Sequence, residues 1–166
     1  MTKNEQTRVA IFPGTFDPVT NGHIDVVERG CKIFDKIIVA VAHSRQKTPL
    51  FTADERVAIA REVLKDFDSV EVDAFGTVLA DYVRSKGTNL ILRGIRTLSD
   101  FEAELQIALV TKTIDKNLET VFVMTSAKNS FISSHIIKDI VRVGGDARKF
   151  VPDFVHQKLQ EKLNGK

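Results

Sequence analysis

The sequence predicts an α/β fold built on a doubly wound, five-stranded parallel sheet with additional C-terminal helices. Apolar segments of strand length alternate five times with segments of helical periodicity along the 166 residues. The connections are short, and such alternation is typical of a parallel sheet with helices on both faces. The segment Lys36–Ala42 reads KIIVAVA, a composition suited to a strand that is covered on both faces. We therefore expect one domain over residues 1–166, with residues 1–7 as a loose polar tail.

In the first half of the chain, apolar spacing and capping residues define the expected elements. Thr52 and Glu55 have the spacing of a capping box, which predicts a helix start at this point. In chain order, we expect a strand at 8–12, a helix at 22–34, a strand at 36–42, a helix from Thr52 that buries Val57, Ala60 and Leu64, a strand at 70–74, a helix at 77–86 and a strand at 89–92.

A long helix dominates the second half. Ser99 and Glu102 have the spacing of a second capping box, and the helix they start is expected to run to about residue 115. The side predicted to pack on the core consists of Phe101, Leu105 and Ala108. The side that predicts a second buried surface consists of Ile107, Val110 and Ile114. Beyond it we expect a strand at 120–124, a Ser-rich turn, a helix that ends at Gly144, and a last helix with Pro152 in its first turn.

The composition excludes several classes of partner. The chain has 24 basic and 22 acidic residues, and its net charge of +2 is too small to indicate binding to nucleic acid or to an anionic membrane. The single cysteine, Cys31, rules out an intrachain disulfide and fits a reducing compartment. No apolar run approaches the roughly 20 residues of a membrane span, and the polar N-terminus MTKNEQTR lacks the apolar region of a signal peptide. We therefore expect a cytoplasmic protein.

Four polar segments follow predicted strands and should meet at one edge of the sheet: residues 13–23, 43–49, 93–96 and 125–134. Parallel strands end at the same edge, and ligands of open α/β sheets bind beyond that edge, so these segments predict a binding crevice. The first segment, PGTFDPVTNGH, leads from a strand into a helix. Such a turn offers backbone N–H groups and the positive end of a helix dipole to an anion, and we expect it to bind phosphate.

Several side chains at this edge have alternative explanations. His23, in the first turn of its helix, can donate a hydrogen bond to a phosphoryl oxygen, or it can be a surface or capping residue. Arg93 and Arg96 can fork onto adjacent phosphates, or they can form surface salt bridges with Asp100 or Glu102.

Other polar residues at this edge also have two alternative roles. Lys47 is either a phosphate ligand or a solvated loop residue, and Thr15 either binds phosphate through its hydroxyl or closes the turn. Asp17 and Asn21 are better suited to turn and capping roles. His156 lies in the last helix and is expected on the surface.

The start of the helix after the fifth strand is rich in serine. Capping would explain one of Ser130, Ser133 and Ser134, but the three together with Asn129 suggest a second phosphate or base-edge site. The sequence contains neither a dinucleotide-binding G-x-G-x-x-G after the first strand nor a P-loop, and neither zinc-ligand spacing nor a nucleophile elbow occurs. We therefore expect no metal site made of protein side chains.

Four motifs resemble those of one enzyme family. TNGH at 20–23 is similar to the (T/H)xGH signature of the nucleotidyltransferase superfamily, and ISS at 132–134 is similar to its second motif. The set PGTFDPVTNGH at 13–23, RGIR at 93–96, DFEAE at 100–104 and SFISS at 130–134 resembles the bacterial phosphopantetheine adenylyltransferases over nearly the whole chain. The resemblance implies the Rossmann-like nucleotidyltransferase fold.

The same resemblance implies adenylyl transfer from ATP to 4′-phosphopantetheine, which gives dephospho-coenzyme A and pyrophosphate in coenzyme A biosynthesis. The residues that it implies for catalysis are His23, Lys47 and Arg96. Those for the acceptor substrate are Thr15, Lys47, Leu79 and Arg93. Those for ATP are Thr15, Phe16, His23, Gly94, Ile95, Arg96, Glu104, Asn129, Ser130, Phe131, Ile132, Ser133, Ser134 and His135.

The resemblance further implies Mg²⁺ carried with ATP, a homohexamer, and coenzyme A as a feedback ligand. The acceptor phosphate has a second pKa of about 6 and is mostly dianionic at neutral pH, so in-line attack needs no protein nucleophile or general base. Two other functions stay open. One is another small-molecule nucleotidyltransferase, such as a cytidylyltransferase or a nicotinamide mononucleotide adenylyltransferase, and the other is a noncatalytic nucleotide-sensing module.

Overall fold

The computed structural model describes residues 7–43 and 49–165, in which helices cover a parallel sheet of five strands. The strands are β1 (Val9–Gly14), β2 (Lys36–Ala42), β3 (Val70–Phe75), β4 (Leu90–Ile95) and β5 (Glu119–Met124). The helices are α1 (Asn21–Gly30), α2 (Ala53–Leu64), α3 (Leu79–Ser85), α4 (Leu98–Ile114), α5 (Ser134–Arg142) and α6 (Asp153–Leu163), with a 3₁₀ turn at Ala127–Asn129. The tail predicted at residues 1–7 lies, apart from Thr7, outside the described residues.

The strand order β3-β2-β1-β4-β5 makes the sheet doubly wound, as predicted. The chain proceeds from β1 through β2 to β3 on one side, and β4 and β5 then form on the other side of β1. All pairs are parallel, and Ile11 of β1 lies between Ile38 of β2 and Ile91 of β4. The direction of winding changes between β1 and β4, so the crevice expected for a ligand lies beyond the carboxyl ends of these two strands.

The strand β2 is buried on both faces, as its continuous apolar run predicts. Ile37, Val39 and Val41 pack in one hydrophobic cluster, whereas Ile38 and Ala40 pack in another on the opposite face. A third cluster joins α2, α5 and α6, and it holds the C-terminal helices against the rest of the chain. The sheet therefore carries helices on both faces, and its polar ligand-binding edge is left at the strand ends.

The capping box that was predicted for α2 is confirmed. The Thr52 hydroxyl accepts a hydrogen bond from the N–H of Glu55, and the Glu55 carboxylate accepts one from the N–H of Thr52. The helix buries Val57, Ala60 and Leu64 as expected. Both signals lie within a few residues of each other, which is why the sequence alone could define this helix.

The start of α4 differs from the prediction, which used Ser99 and Glu102 as a capping box. The N-cap is Thr97, whose hydroxyl accepts a hydrogen bond from the N–H of Asp100 at 3.2 Å. Ser99 lies inside the helix, and its hydroxyl is 2.9 Å from that of Thr97. The residue three positions after Thr97 is an aspartate, whose shorter side chain does not return to the cap, so the pattern of a full box was absent at the true start.

The predicted packing of α4 is also only partly found. Phe101 and Leu105, which were assigned to the core, keep 38% and 37% of their surface exposed, while Ala108 is half-buried. The side chains expected to form a second buried surface are exposed in the single chain: Ile107, Val110 and Ile114. A helix with apolar residues on several sides and little cover of its own presents an unusually large apolar surface to its surroundings.

The position of His156 also differs from the prediction, which expected it on the surface. It is buried in α6, with 5% of its surface exposed, and its Nε2 lies 3.8 Å from the carboxylate of Asp146. The packing of α6 on α2 and α5 covers this side, and that long-range contact has no local sequence signal. Among the described residues, no helix has both the length and the apolar character needed to span a bilayer.

Candidate active site

A cavity of about 570 Å³ lies beyond the carboxyl ends of β1 and β4, where the winding of the sheet changes direction. Its lining comes from the turn after β1 and the start of α1, from the end of β4 and the start of α4, from the connection between β5 and α5 with the start of α5, and from Pro49. The predicted convergence of these segments is confirmed for the described residues, and His23 and Arg96 share the cavity. Residues 44–48, with the predicted ligand Lys47, lie outside the described part of the chain.

The turn between β1 and α1 holds its side chains in a constrained backbone. Phe16 has a φ of 50°, a left-handed conformation that is rare outside glycine and persists only where the surroundings enforce it. Its buried ring packs edge-on against Phe12 and His23, with centroid distances of 5.3 and 5.0 Å. Thr15 is exposed at the cavity, as a ligand-binding hydroxyl would be. The turn therefore positions His23 through apolar packing as well as through hydrogen bonds.

His23 caps the first turn of α1 and also lines the cavity. The backbone N–H of Thr20 donates to Nδ1 of His23 at 3.0 Å, and the Thr20 hydroxyl accepts from the N–H of His23 at 3.4 Å. Because Nδ1 accepts a hydrogen bond, the neutral ring carries its proton on Nε2. The capping role that was an alternative for His23 is thus confirmed, and it fixes the tautomer that can donate to a ligand.

The ring of His23 is held neutral by its environment. Burial, with a further contribution from the positive charge of Arg96, lowers the pKa of His23 from 6.5 to about 4. At neutral pH the ring is therefore a hydrogen-bond donor through Nε2 without being a cation. Because the charge of Arg96 contributes to this lowered pKa, the two predicted catalytic groups, His23 and Arg96, interact electrostatically.

Arg93 extends from β4 into the cavity. Its Nη1 donates to the carbonyl of Pro13 at 2.8 Å, and its Nε and Nη2 form a bidentate pair with the carboxylate of Glu104 on α4. Both side chains are mostly buried, with 17% and 21% of their surfaces exposed. The structure thus joins two residues that the resemblance assigned to different substrates.

Arg96 is held in a similar way by the next residues of the chain. Its Nε and Nη2 donate to the carboxylate of Asp100 at 2.7 and 3.0 Å, and its Nη1 donates to the carbonyl of Ile132 at 2.6 Å. The salt bridge that was an alternative for Arg96 is therefore found, with Asp100 and not with Glu102, which is exposed. The pairing does not remove Arg96 from the site, because both partners line the cavity.

Gly94, between the two arginines, is required by packing. A Cβ atom at this position would lie 2.5 Å from a methyl carbon of Val26 on α1, which is closer than real contacts allow. The absence of a side chain lets α1 lie directly against β4, so that His23 and the arginines reach the same cavity.

The first turn of α1 is less open to an anion than the sequence suggested. The N–H of Asn21 donates to the carbonyl of Phe150 at 2.9 Å, and the N–H of His23 is used in the cap. The start of α5 is different, because its N-cap, Ser133, makes no side-chain capping bond. Helix starts without such a cap keep N–H groups that can bind phosphate, and this one faces the cavity.

Residues of the serine segment at the start of α5 line the cavity, and one of them also holds the segment in place. Ser133, Ser134 and His135 line the cavity together with Ile132. The Ser134 hydroxyl donates to the carbonyl of Pro18 at 3.0 Å, which ties the start of α5 to the turn after β1. Of the residues predicted to form a second phosphate site, Ser133 and Ser134 therefore line the same cavity as the turn after β1.

Among the described residues, five that the resemblance implies lie outside the lining of this cavity. Ile95 and Asn129 are buried, Leu79 begins α3, and the Ser130 hydroxyl bonds within its own turn. Phe131 is 64% exposed. Their contacts with a substrate stay predictions.

Asp17 has a larger role than the turn position that was predicted for it. Its buried carboxylate accepts hydrogen bonds from the N–H groups of Leu50 and Phe51, both at 2.9 Å, and from Nζ of Lys138 at 2.6 Å. Lys138 was not singled out in the sequence, although it follows Ser134 by four residues and so shares its helix face. The partners of Asp17 lie 33, 34 and 121 positions away, and no local pattern indicates them.

Asp25 and Arg56 also support the site and were not predicted. The Asp25 carboxylate accepts from the N–H of Ser126 at 2.7 Å and from Nε of Arg29 at 3.2 Å. Burial alone would raise the pKa of Asp25, but these hydrogen bonds and the Arg29 charge hold it below its usual range. Arg56, only 1% exposed, donates to the carbonyls of three residues, and burial lowers the pKa of its guanidinium. One of those carbonyls belongs to Thr15.

The charges of the described lining cancel. Each cation that contacts the cavity is paired with a carboxylate of the same lining, in the pairs Arg93–Glu104, Arg96–Asp100 and Lys138–Asp17. Within residues 7–43 and 49–165, no cluster of three or more acidic, His or Cys side chains is arranged to hold a metal ion. A polyanion that enters must therefore share these cations with the carboxylates or bring its own counter-charge.

The chain is similar to known proteins over most of its length. A family model described as cytidylyltransferase-like matches residues 11–140. The phosphopantetheine adenylyltransferase of Alkalilimnicola ehrlichii is 49% identical over 159 residues, which cover 95% of this chain and 91% of that protein. The phosphopantetheine adenylyltransferase of Oleidesulfovibrio alaskensis is 50% identical over 155 residues, which cover 93% of this chain and 91% of that protein.

A solved structure supports the fold at much lower sequence identity. A bifunctional NMN adenylyltransferase/ADP ribose pyrophosphatase from Francisella tularensis, crystallised with AMP and a manganese ion, superposes with a TM-score of 0.71 at 12% identity. The match covers 96% of this chain and 50% of that longer one. It supports the predicted α/β class and the Rossmann-like nucleotidyltransferase fold, and at this identity it shows the fold alone.

Proposed function

The chain belongs to the cytidylyltransferase-like family and, within it, to the phosphopantetheine adenylyltransferases, and from this premise we propose how its residues perform the reaction. The reaction is transfer of the adenylyl group of ATP to 4′-phosphopantetheine, which gives dephospho-coenzyme A and pyrophosphate in coenzyme A biosynthesis. The observation that carries the assignment of the site is the convergence of His23, Arg93 and Arg96 on one cavity at the switch point of the sheet.

The chemical step is an in-line displacement at the α-phosphorus of ATP. An oxygen of the acceptor phosphate forms a bond to this phosphorus, and the bond to the oxygen that bridges the α- and β-phosphates breaks, so that pyrophosphate leaves. The acceptor phosphate is mostly dianionic at neutral pH, and therefore no general base has to remove a proton. The protein contributes positioning and stabilisation of negative charge, which are the main components of catalysis in phosphoryl transfer.

The predicted groups within the described residues have roles that their geometry supports. His23 donates Nε2–H to an oxygen of the reacting phosphate, from a ring whose tautomer is fixed by its cap. Arg96 and the uncapped start of α5 bind the phosphates of ATP, since both face the cavity near Ile132. Arg93 and Thr15 bind the phosphate of the acceptor, and the resemblance adds Lys47, which lies outside the described residues.

ATP is proposed to enter as its magnesium complex. The carboxylates of the described lining are each engaged by a cation, so the lining offers the ion no free acidic cage. Mg²⁺ usually keeps several waters and binds through substrate phosphates. Bound in this way, it neutralises charge on the phosphate oxygens, which suits a lining whose own charges cancel.

Assembly, regulation and compartment complete the proposal. The exposed apolar side chains of α4 support association of identical chains, which we propose to be a homohexamer. Coenzyme A, which contains the product, is proposed as a feedback ligand of the same cavity. The free thiol of Cys31 is compatible with the cytoplasm, where we place the protein.

The proposed function is tested by incubating the protein with ATP, magnesium and 4′-phosphopantetheine and detecting the product by mass. We expect dephospho-coenzyme A and an equal amount of pyrophosphate. CTP in place of ATP, and nicotinamide mononucleotide in place of the acceptor, serve as substrate controls and should give little product. Pyrophosphate release with one of these controls but not with 4′-phosphopantetheine would contradict the proposal, and so would nucleotide binding without any turnover.

A further inference from the structure

The carboxylate of Asp100 is the bidentate partner of Arg96 in the cavity. Its two oxygens receive Nε–H and Nη2–H of the guanidinium at 2.7 and 3.0 Å, a side-on, bidentate arrangement. The third contact of the guanidinium is the carbonyl of Ile132, at 2.6 Å from Nη1. Arg96 is therefore held between α4 and the segment that leads into α5.

A count of donors shows what these contacts leave free. A guanidinium carries five N–H groups, and three of them are used by Asp100 and Ile132. Two N–H groups of Arg96 remain, and the side chain lines the cavity. A flexible arginine loses considerable rotamer freedom when it binds a phosphate, and this cost is smaller when the side chain is already ordered.

From this geometry we propose that Asp100 is a positioning residue for adenylyl transfer, which orients the guanidinium of Arg96 so that its two remaining N–H groups face the phosphates of ATP. The proposal rests on the function proposed above and adds a residue that contacts the reacting groups only through Arg96. The pair is partly exposed, with 35% and 25% of the side-chain surfaces accessible, so its contribution is to geometry more than to a buried charge.

The neighbouring acidic residue of the same helix provides a matched control. Glu102 lies two positions after Asp100 on α4 and is exposed, and among the described residues it forms neither an ion pair nor a side-chain hydrogen bond. Neutralising Glu102 removes the same charge from the same helix turn without touching Arg96. A general effect of net charge on ATP binding would thus appear equally in both variants.

The experiment is a double-mutant cycle with Asp100→Ala and Arg96→Ala, and with Glu102→Gln as the control. For each variant, ATP affinity is measured by calorimetry without the acceptor, and kcat and KM by pyrophosphate release. We expect Asp100→Ala to lower kcat/KM for ATP by about 10- to 100-fold, since a misplacement of about 1 Å can cost 10²-fold. In the Arg96→Ala background the same change should have an effect of less than about twofold, and Glu102→Gln should match the unmodified protein.

Other results would overturn the proposal. An effect of Asp100→Ala that is unchanged in the Arg96→Ala background would show a structural role, and tighter ATP binding in Asp100→Ala would show that the carboxylate competes with phosphate. If Asp100→Ala does not fold, Asp100→Asn enters the same cycle, because its amide N–H₂ would face one of the arginine donors and should again lower kcat/KM. The calorimetric measurement needs only ATP, so it still tests Asp100 if the unmodified protein fails to make dephospho-coenzyme A.

Discussion

The N–H of Thr20 and Nδ1 of His23 are 3.0 Å apart, so one hydrogen bond both starts α1 and selects the tautomer of the proposed catalytic ring. The residue that ends the TNGH motif is thereby positioned by the first residue of the same motif. Each of the two alternatives that the sequence left for His23, capping and donation to phosphate, uses a different ring nitrogen. They are therefore compatible, and substitutions at this position should affect both.

His23→Ala should remove most of the turnover and leave ATP binding near normal. Loss of one hydrogen-bond donor to a transition state typically costs about 10²–10³ in rate, or about 3–4 kcal/mol, and we expect a fall in kcat of this size. The measurement is pyrophosphate release, with ATP affinity and circular dichroism recorded in parallel. Glu28→Ala, on the exposed side of the same helix, is the control. Turnover at the unmodified rate would remove His23 from catalysis.

The pH dependence of stability should report the neutral state of the His23 ring. Its pKa is about 4 in the folded protein and 6.5 in the unfolded chain, so between these values the unfolded chain binds more protons. Stability should therefore fall as the pH is lowered from 6.5 towards 4, and this contribution should be absent in His23→Gln. Thermal unfolding at several pH values compares the two proteins, and NMR of the ring nitrogens checks the assignment. A ring that titrates near 6.5 in the folded protein would contradict the prediction.

Variants of the Arg93–Glu104 pair should separate a loss of acceptor binding from a loss of folding stability. Arg93→Ala is expected to weaken binding of 4′-phosphopantetheine and to destabilise the protein, because it leaves the Glu104 carboxylate without its partner. The side chains are partly exposed, so the loss should be smaller than the about 3–5 kcal/mol found for fully buried pairs. The double variant Arg93→Ala/Glu104→Ala should recover part of the stability and none of the acceptor affinity. Calorimetry and thermal unfolding measure the two effects, and equal recovery of both would contradict the assignment of Arg93 to the acceptor.

Features that depend on neighbouring residues could be predicted from the sequence, and features that depend on distant contacts could not. The alternation of strands and helices, the box at Thr52 and the run at Lys36–Ala42 are local patterns, and the sheet follows from them. The convergence of the described parts of these loops at one edge then follows from the parallel arrangement. The carboxylate of Asp17 and the burial of His156 depend on segments far along the chain, so neither had a signal in the residues around it.

The start of α4 shows that the capping-box pattern, although local, can select the wrong residue as the N-cap. Substitution of the true N-cap, Thr97→Ala, should cost about 0.5–2 kcal/mol of unfolding free energy, because the N–H of Asp100 loses its acceptor. Ser99→Ala, at the position that the capping-box pattern favoured, should stay within about 0.5 kcal/mol. Urea unfolding of both variants measures the difference. A larger loss for Ser99→Ala than for Thr97→Ala would restore the start that was predicted from the sequence.

The exposed apolar side of α4 should be covered by other copies of the chain. Val110 is 60% exposed, and Val110→Glu would place a carboxylate in the middle of any apolar contact made there, which is costly for an unpaired charge. We expect the unmodified protein to sediment as six chains and the variant to dissociate. Val143→Glu, at the end of α5 and 84% exposed, introduces the same charge outside α4 and should leave the assembly intact. Because α4 also carries Asp100 and Glu104, dissociation that lowers ATP affinity would show that the apolar contact supports the arginines of the site. A variant that keeps the size of the unmodified protein would show that this side of α4 is not the contact between chains.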